Sequence, residues 1–182
     1  SNKAKIIIAN SNASKSMLIK RFGIDENKIK VVYNGFLSKE INPTNKNYKR
    51  YSHRFSVGYL GRLDTPKGVH VLINSAKKLP NYDFFIAGKG ILENKLKELA
   101  GDNKNINFLG SIREPLEFIS KMDTIVVPSL REPLGNTIIE SGFCKKPVIA
   151  SNVDGIAEII KDGLNGILIN PDKEISFDEV EI

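Results

Sequence analysis

Arg131-Glu132-Pro133-Leu134-Gly135-Asn136-Thr137-Ile138-Ile139-Glu140-Ser141-Gly142 is the stretch on which the reading of this chain turns. A β-rich run, Thr124-Ile125-Val126-Val127-Pro128, leads into it, and a second, Pro147-Val148-Ile149-Ala150-Ser151, leads out. That order reads as strand, loop, helix, strand. Glu132 then falls in the loop, and Glu140, with seven residues between the two, falls inside the helix. Gly135, Asn136 and Thr137 open the helix. Their N–H groups have no partner within it and lie at the positive end of its dipole, which makes an anion site. A carboxylate one and a half turns further in is placed to accept hydrogen bonds from a diol such as ribose. Phosphate and ribose side by side describe a nucleotide. Read alone, the segment also fits an α/β protein whose two carboxylates are merely solvated.

The same alternation runs outward from this stretch. Strands are predicted over residues 55–61, 82–87, 106–110, 124–127, 148–150 and 167–169. Helices are predicted over 69–79, 91–100, 115–121, 135–145 and 156–161, the first with Val69, Leu72, Ile73 and Ala76 at helical spacing. Strands alternating with helices imply an α/β fold with a Rossmann-like, doubly wound parallel sheet covered on both faces. Crossovers in such a sheet are right-handed, and ligands bind beyond the C-terminal ends of its strands. The loops after Leu60, Ala87, Leu109 and Val127 all lie at those ends. Residues 1–54 are less regular. A strand is predicted over 5–10, a helix over 14–22 capped by Ser11 or Asn12, and a strand over 30–35 that ends in a turn. The polar stretch around Asn42-Pro43-Thr44-Asn45 reads as a linker.

At 182 residues the chain is long enough for one sizeable core and short for two complete domains. Hydrophobic content of 41% and charged content of 26% are ordinary for a globular protein, and no apolar run has the length of a membrane span. The start, Ser1-Asn2-Lys3, lacks Met and an apolar signal region, and is read as an excised fragment. The single cysteine, Cys144, excludes an internal disulfide and is read as packing in a reducing cytoplasm. With two distant histidines and no Cys or His cluster, no transition-metal site is expected. The net charge of +6 is uneven: residues 1–100 hold 19 Lys and Arg against 7 Asp and Glu, and the remainder holds 8 against 14. A basic half fits phosphorylated ligands or an anionic membrane surface. Nucleic acid is not expected as a partner, because the basic residues are scattered and no nucleic-acid module signature is present.

Three further loops carry candidate residues. Gly61-Arg62-Leu63-Asp64-Thr65-Pro66-Lys67-Gly68 follows a strand and offers an Arg fork and a Lys point charge to phosphate oxygens. It is not a P-loop, since Gly-Lys-Ser/Thr is absent. A solvated loop is the alternative. Ala87-Gly88-Lys89-Gly90 reads as a tight strand-to-helix turn, in which Gly88 and Gly90 permit close backbone approach. Gly110-Ser111-Ile112-Arg113 ends the next strand, with packing as the alternative for Ile112.

Together, Gly-Arg-Leu…Lys-Gly after one strand and Glu-x7-Glu after another resemble retaining GT-B glycosyltransferases of the large group 1 family. The resemblance covers about 55–170 well and 5–36 less closely. It implies that residues 55–182 form the nucleotide-sugar-binding domain, the C-terminal half of a GT-B fold. Residues 1–36 would be the last strand, helix and crossing strand of the N-terminal domain, and 37–54 the linker. A UDP- or GDP-sugar donor is implied. Arg62 and Lys67 would stabilise the leaving diphosphate and Glu132 would position the donor sugar. Gly61, Leu134, Gly135, Asn136 and Thr137 would line the donor site, and Glu140 would hold the ribose. In the family the loop matching Gly88 and Gly90 lies near the nucleotide, and the turn matching Ser111 and Ile112 contacts the base. No cofactor is implied beyond the donor, and the chain has no Asp-x-Asp motif for a metal. A glycan or lipid-linked acceptor would bind through the N-terminal domain, so the fragment alone is expected to be inactive. By analogy with small members of the family, the setting would be bacterial envelope polysaccharide or lipopolysaccharide synthesis, in the cytoplasm or at the inner face of its membrane. Lys15, Lys20 and Arg21 beside Met17, Leu18 and Phe22 fit peripheral membrane contact, although packing of an amphipathic helix is the favoured reading. The alternatives are a GT-B-shaped nucleotide-sugar epimerase and a non-catalytic nucleotide-binding module.

Overall fold

A computed structural model of the chain describes residues 4–35 and 50–171. Most of the expected linker (37–49) and the acidic end (172–182) therefore lie outside the described residues. The larger unit is a six-stranded parallel sheet: β3 (Ser56–Leu60), β4 (Asp83–Ala87), β5 (Ile106–Gly110), β6 (Thr124–Val127), β7 (Val148–Ser151) and β8 (Ile167–Ile169). The spatial order is β5-β4-β3-β6-β7-β8. This is the doubly wound order, which reverses direction between β3 and β6, where Val57 pairs with Thr124. Helices α2 (Val69–Lys78), α3 (Glu93–Ala100), α4 (Pro115–Ser120), α5 (Asn136–Phe143) and α6 (Ile156–Ile159) form the crossovers.

The strand side chains sort by the period of two. Val57, Tyr59, Phe84, Ile86, Val126 and Ile149 point to one face and pack with Leu72, Ile73 and Ala76 of α2 and Leu96 of α3. Phe85, Ala87, Ile125, Val127, Val148 and Ala150 point to the other and meet Leu116, Phe118, Ile119, Ile138 and Ile156 from α4, α5 and α6. Every residue of β6 and β7 is buried, as expected of central strands in a parallel sheet. Cys144 ends α5 buried in the second cluster. The last residues of the expected linker are packed: the ring of Tyr51 stacks on Phe85 at 5.1 Å, and Arg50 pairs with Asp123.

A smaller unit precedes the large sheet. β1 (Ile7–Ala9) and β2 (Ile29–Val31) pair in parallel around α1 (Asn12–Phe22). Ser11 caps α1, accepting from the Ser14 N–H, so the helix starts two residues earlier than its apolar pattern indicates. β2 is also shorter than predicted, because the chain after Val32 leaves the ladder and Tyr33 turns toward α6. Ile6, Ile8, Phe22 and Val32 of this unit are exposed. Among the described residues no helix is long and apolar enough to cross a membrane.

Candidate functional site

The site forms where the sheet reverses, at the C-terminal ends of β3 and β6. Two loops are joined there by their backbones. After β3, Thr65-Pro66-Lys67 make a single helical turn that ends at Gly68. The Pro66 carbonyl accepts the N–H groups of Leu130 at 2.8 Å and Arg131 at 3.2 Å, both in the loop after β6. Gly68 has φ +63, and a Cβ there would lie 1.9 Å from the Pro128 carbonyl, so only glycine lets the loops approach this closely.

This docking brings Lys67 against Glu132. The Lys67 amine donates to Glu132 Oε2 at 2.5 Å, and the Ser129 hydroxyl donates to the same oxygen at 3.3 Å. Glu132 is only 9% exposed. Its main chain is held as well: its N–H donates to Asp154 Oδ2 at 3.1 Å, and its carbonyl accepts from the Gly155 N–H at 3.0 Å.

Beside the pair, α5 begins after Gly135, whose φ of 96 turns the chain into the helix. No side chain caps α5. The hydroxyl of Thr137 donates to the Leu60 carbonyl at 3.2 Å, tying the first turn to the end of β3. Lys67, Glu132, Pro133, Leu134, Gly135, Asn136 and Thr137 line one pocket of about 200 Å³. Asn136 also borders an adjoining pocket of about 280 Å³, lined by Ile139, Glu140, Asn34 and Gly35. Burial pushes the Glu140 carboxyl above its usual range. Among the described residues its carboxylate has no hydrogen-bond or ionic partner. The arrangement offers a cation, a helix N-terminus and two carboxylates over a short span.

The other expected site residues stand apart from these pockets. Arg62 points outward, 75% exposed, and pairs with Asp64 at 3.0 Å. Gly61, Gly88 and Gly90 form a corner in which loops pack on each other. A Cβ at Gly88 (φ +145) would lie 1.8 Å from the Gly61 carbonyl, and one at Gly90 would lie 2.2 Å from that of Leu63. The close approach these glycines permit is to the neighbouring loop. Ser111 is exposed, and Ile112 packs on the second core cluster. Tyr59, at the base of the corner, donates to the Arg62 carbonyl at 2.7 Å. Burial raises its phenol well above its ordinary value, and the negative charges of Asp64 and Glu132 add to this.

Asn10 and Asn34 of the small unit reach the site, and no local pattern in the sequence marks either. Asn10 lines the pocket of Lys67 and Glu132. Asn34 donates to the Asn136 side chain at 2.7 Å. Neither belongs to a periodic apolar pattern or a charged cluster, so their part depends on how the small unit docks. Among the described residues no cluster of His, Cys, Asp or Glu is gathered as for a metal ion.

Residues 54–180 match the profile of the family described as glycosyl transferases group 1. An uncharacterized glycosyltransferase of Methanocaldococcus jannaschii is 34% identical over 170 residues, which are 88% of this chain and 46% of that protein. The capsular polysaccharide biosynthesis glycosyltransferase CapM of Staphylococcus aureus is 28% identical over 173 residues, covering 91% of this chain and 42% of CapM. Among solved structures, Anabaena HepE in complex with UDP-glucose superposes with a TM-score of 0.78 at 27% identity, over 93% of this chain and 51% of HepE. The chain thus spans about half the length of the proteins it matches. It belongs to the group 1 glycosyltransferases and carries the parallel α/β half of a GT-B fold.

Proposed function

We propose that this chain supplies the donor site of a retaining glycosyltransferase and that its donor is a UDP- or GDP-sugar. The observation that carries the reading is the pair of adjoining pockets at the reversal of the sheet, one lined by Lys67, Glu132 and the start of α5 and the other by Glu140, with Asn136 bordering both. Lys67 and the N–H groups of Gly135 and Asn136 neutralise charge that grows on the departing diphosphate, which lowers the barrier because that charge is largest in the transition state. Arg62 adds to this field from the rim. Glu132 accepts from hydroxyls of the donor sugar and sets the anomeric carbon. Glu140 accepts from the ribose diol. The base lies toward Ser111 and Ile112, and Gly61, Gly88 and Gly90 hold the corner between.

The likeness to HepE, solved with UDP-glucose, supports a nucleotide-sugar donor. The likeness to a capsular enzyme supports a role in envelope polysaccharide or lipopolysaccharide synthesis, with a glycan or lipid-linked acceptor. Residues 1–36, among which Ile6, Ile8, Phe22 and Val32 are exposed, belong in this reading to an adjoining domain that binds the acceptor. Calorimetric titration with UDP-, GDP- and ADP-sugars tests the proposal. One base is expected to bind best, and Lys67→Ala to abolish the preference for diphosphates over nucleosides. Equal, salt-sensitive binding of every polyanion would instead indicate a general anion-binding module.

A further inference from the structure

Among the described residues, Glu158, on α6, is the most heavily engaged carboxylate outside the pocket. Its Oε2 accepts from the Asn12 N–H at 2.9 Å, from Asn12 Nδ2 at 2.9 Å and from the Tyr33 hydroxyl at 2.6 Å. Its Oε1 accepts from the Ala13 N–H at 2.7 Å. The carboxylate thus sits on the N-terminus of α1, where the helix dipole and free N–H groups favour negative charge. These bonds join the large unit to the small one.

The gripped residues are the immediate neighbours of those that reach the pocket. Ser11, next to Asn12, donates to the Pro133 carbonyl at 2.5 Å. Asn34, next to Tyr33, donates to Asn136 at 2.7 Å. Asn10 lines the pocket and is steadied by the Ser14 hydroxyl, which donates to its Oδ1 at 2.7 Å. The turn that leads into α6 is itself bonded to Glu132 on both sides of its peptide, through Asp154 and Gly155. One short element therefore holds the loop that carries Glu132 and, through Glu158, the three side chains that stand over it.

We propose that Glu158 is a positioning residue for the donor pocket. It fixes the α1–β2 unit so that Asn10, Ser11 and Asn34 complete the wall above residues 132–136. The inference rests on the donor-site reading given above. It assigns Glu158 no contact with the donor and a role wholly transmitted through Asn12, Ala13 and Tyr33.

The test is titration of the full-length protein with UDP and with GDP. Glu158→Ala is expected to weaken the better ligand about tenfold, the loss of roughly one strong hydrogen bond's worth of organisation. Tyr33→Phe removes one of the four bonds and is expected to weaken binding about two- to threefold while leaving the fold intact. In an Asn10→Ala/Ser11→Ala/Asn34→Ala background the Glu158 substitution is expected to add little, because its routes to the pocket are already cut. A full further loss in that background, or unchanged affinity in both Glu158→Ala and Tyr33→Phe, would overturn the proposal. Lys67→Ala and Glu140→Ala serve as references. If they lose affinity while the Glu158 and Tyr33 variants do not, positioning by Glu158 fails alone. If they too bind as the unaltered protein does, the donor-site reading falls, and this inference with it.

Discussion

Lys67 and Glu132 are each other's partner, with amine and carboxylate 2.5 Å apart in a nearly buried setting. A nucleotide-sugar bound as proposed would draw both apart, the lysine to phosphate and the glutamate to sugar hydroxyls. The pair keeps each charge compensated until then. Lys67→Ala alone leaves Glu132 with the longer Ser129 contact, and is expected to lower stability by about 1–3 kcal/mol in denaturant titration. Lys67→Met combined with Glu132→Leu should cost less than the two single changes added together, since no charge is then left stranded.

Glu140 is expected to read the ribose. Glu140→Ala should weaken UDP or GDP binding by about 1–3 kcal/mol, the cost of a charged hydrogen-bond partner. A deoxyribose analogue should lose affinity for the unaltered protein and little more for the variant. Equal binding by variant and parent would remove Glu140 from the site.

Phosphate selectivity separates Arg62 and Lys67 from the rest of the pocket. With both changed to Ala, nucleoside diphosphates should bind more weakly while nucleosides bind almost as before. Arg62 stands outside the pocket in its pairing with Asp64, so the single Arg62 change should be the milder of the two. Parallel loss for nucleosides and diphosphates in the double variant would point to damage of the fold.

Acid should loosen the junction between the two units. Desolvation pushes the Glu158 carboxyl up, but the bonds from Tyr33, Asn12 and Ala13 outweigh it, and the net shift is downward. A lowered carboxyl stabilises the fold above the ordinary carboxylate range, and that contribution is lost as pH falls through the lowered value. The Tyr33 phenol, raised chiefly by its bond to Glu158 and then by burial, stays protonated throughout. Melting temperature measured from neutral pH downward should therefore fall more steeply in the parent than in Glu158→Gln. Parallel curves would show that the bonds add no pH-dependent stability.

Gly88→Ala should be costly although it changes one methyl group. The residue has φ +145, and the added Cβ would meet the Gly61 carbonyl. A loss of about 1–3 kcal/mol is expected, or several degrees in melting temperature. An unshifted transition would mean that the two loops part freely.

The strand–helix series was legible because the central strands β6 and β7 are buried on both faces and the edge strands keep short β-rich runs bounded by polar turns. Thr124–Val127, buried throughout, and Ile106–Gly110, buried only at Ile106, both stand out in the sequence at their observed bounds. Helix ends were less so. α1 begins where the Ser11 side chain caps it, and α3 begins at Glu93, two residues after the apolar pattern starts. Within the site, Glu132 and Lys67 were visible as charges beside strands, but their pairing was not, because it depends on the bonds that dock residues 130 and 131 onto Pro66. Asn10, Asn34 and Glu158 left no local trace. A neutral amide in a turn and a glutamate on a short helix acquire meaning only when distant segments meet.

The pairing of Val57 with Thr124 also bears on how the protein folds. β4, β5 and three helices lie between these two strands in sequence, yet the strands are neighbours in space. Closing such a long loop carries an entropic cost before any contact repays it, so pairings of this kind form late and slowly. The pocket straddles that seam. It comes into being only with the longest-range pairing of the sheet, and a chain that has folded either half alone has no binding site to offer.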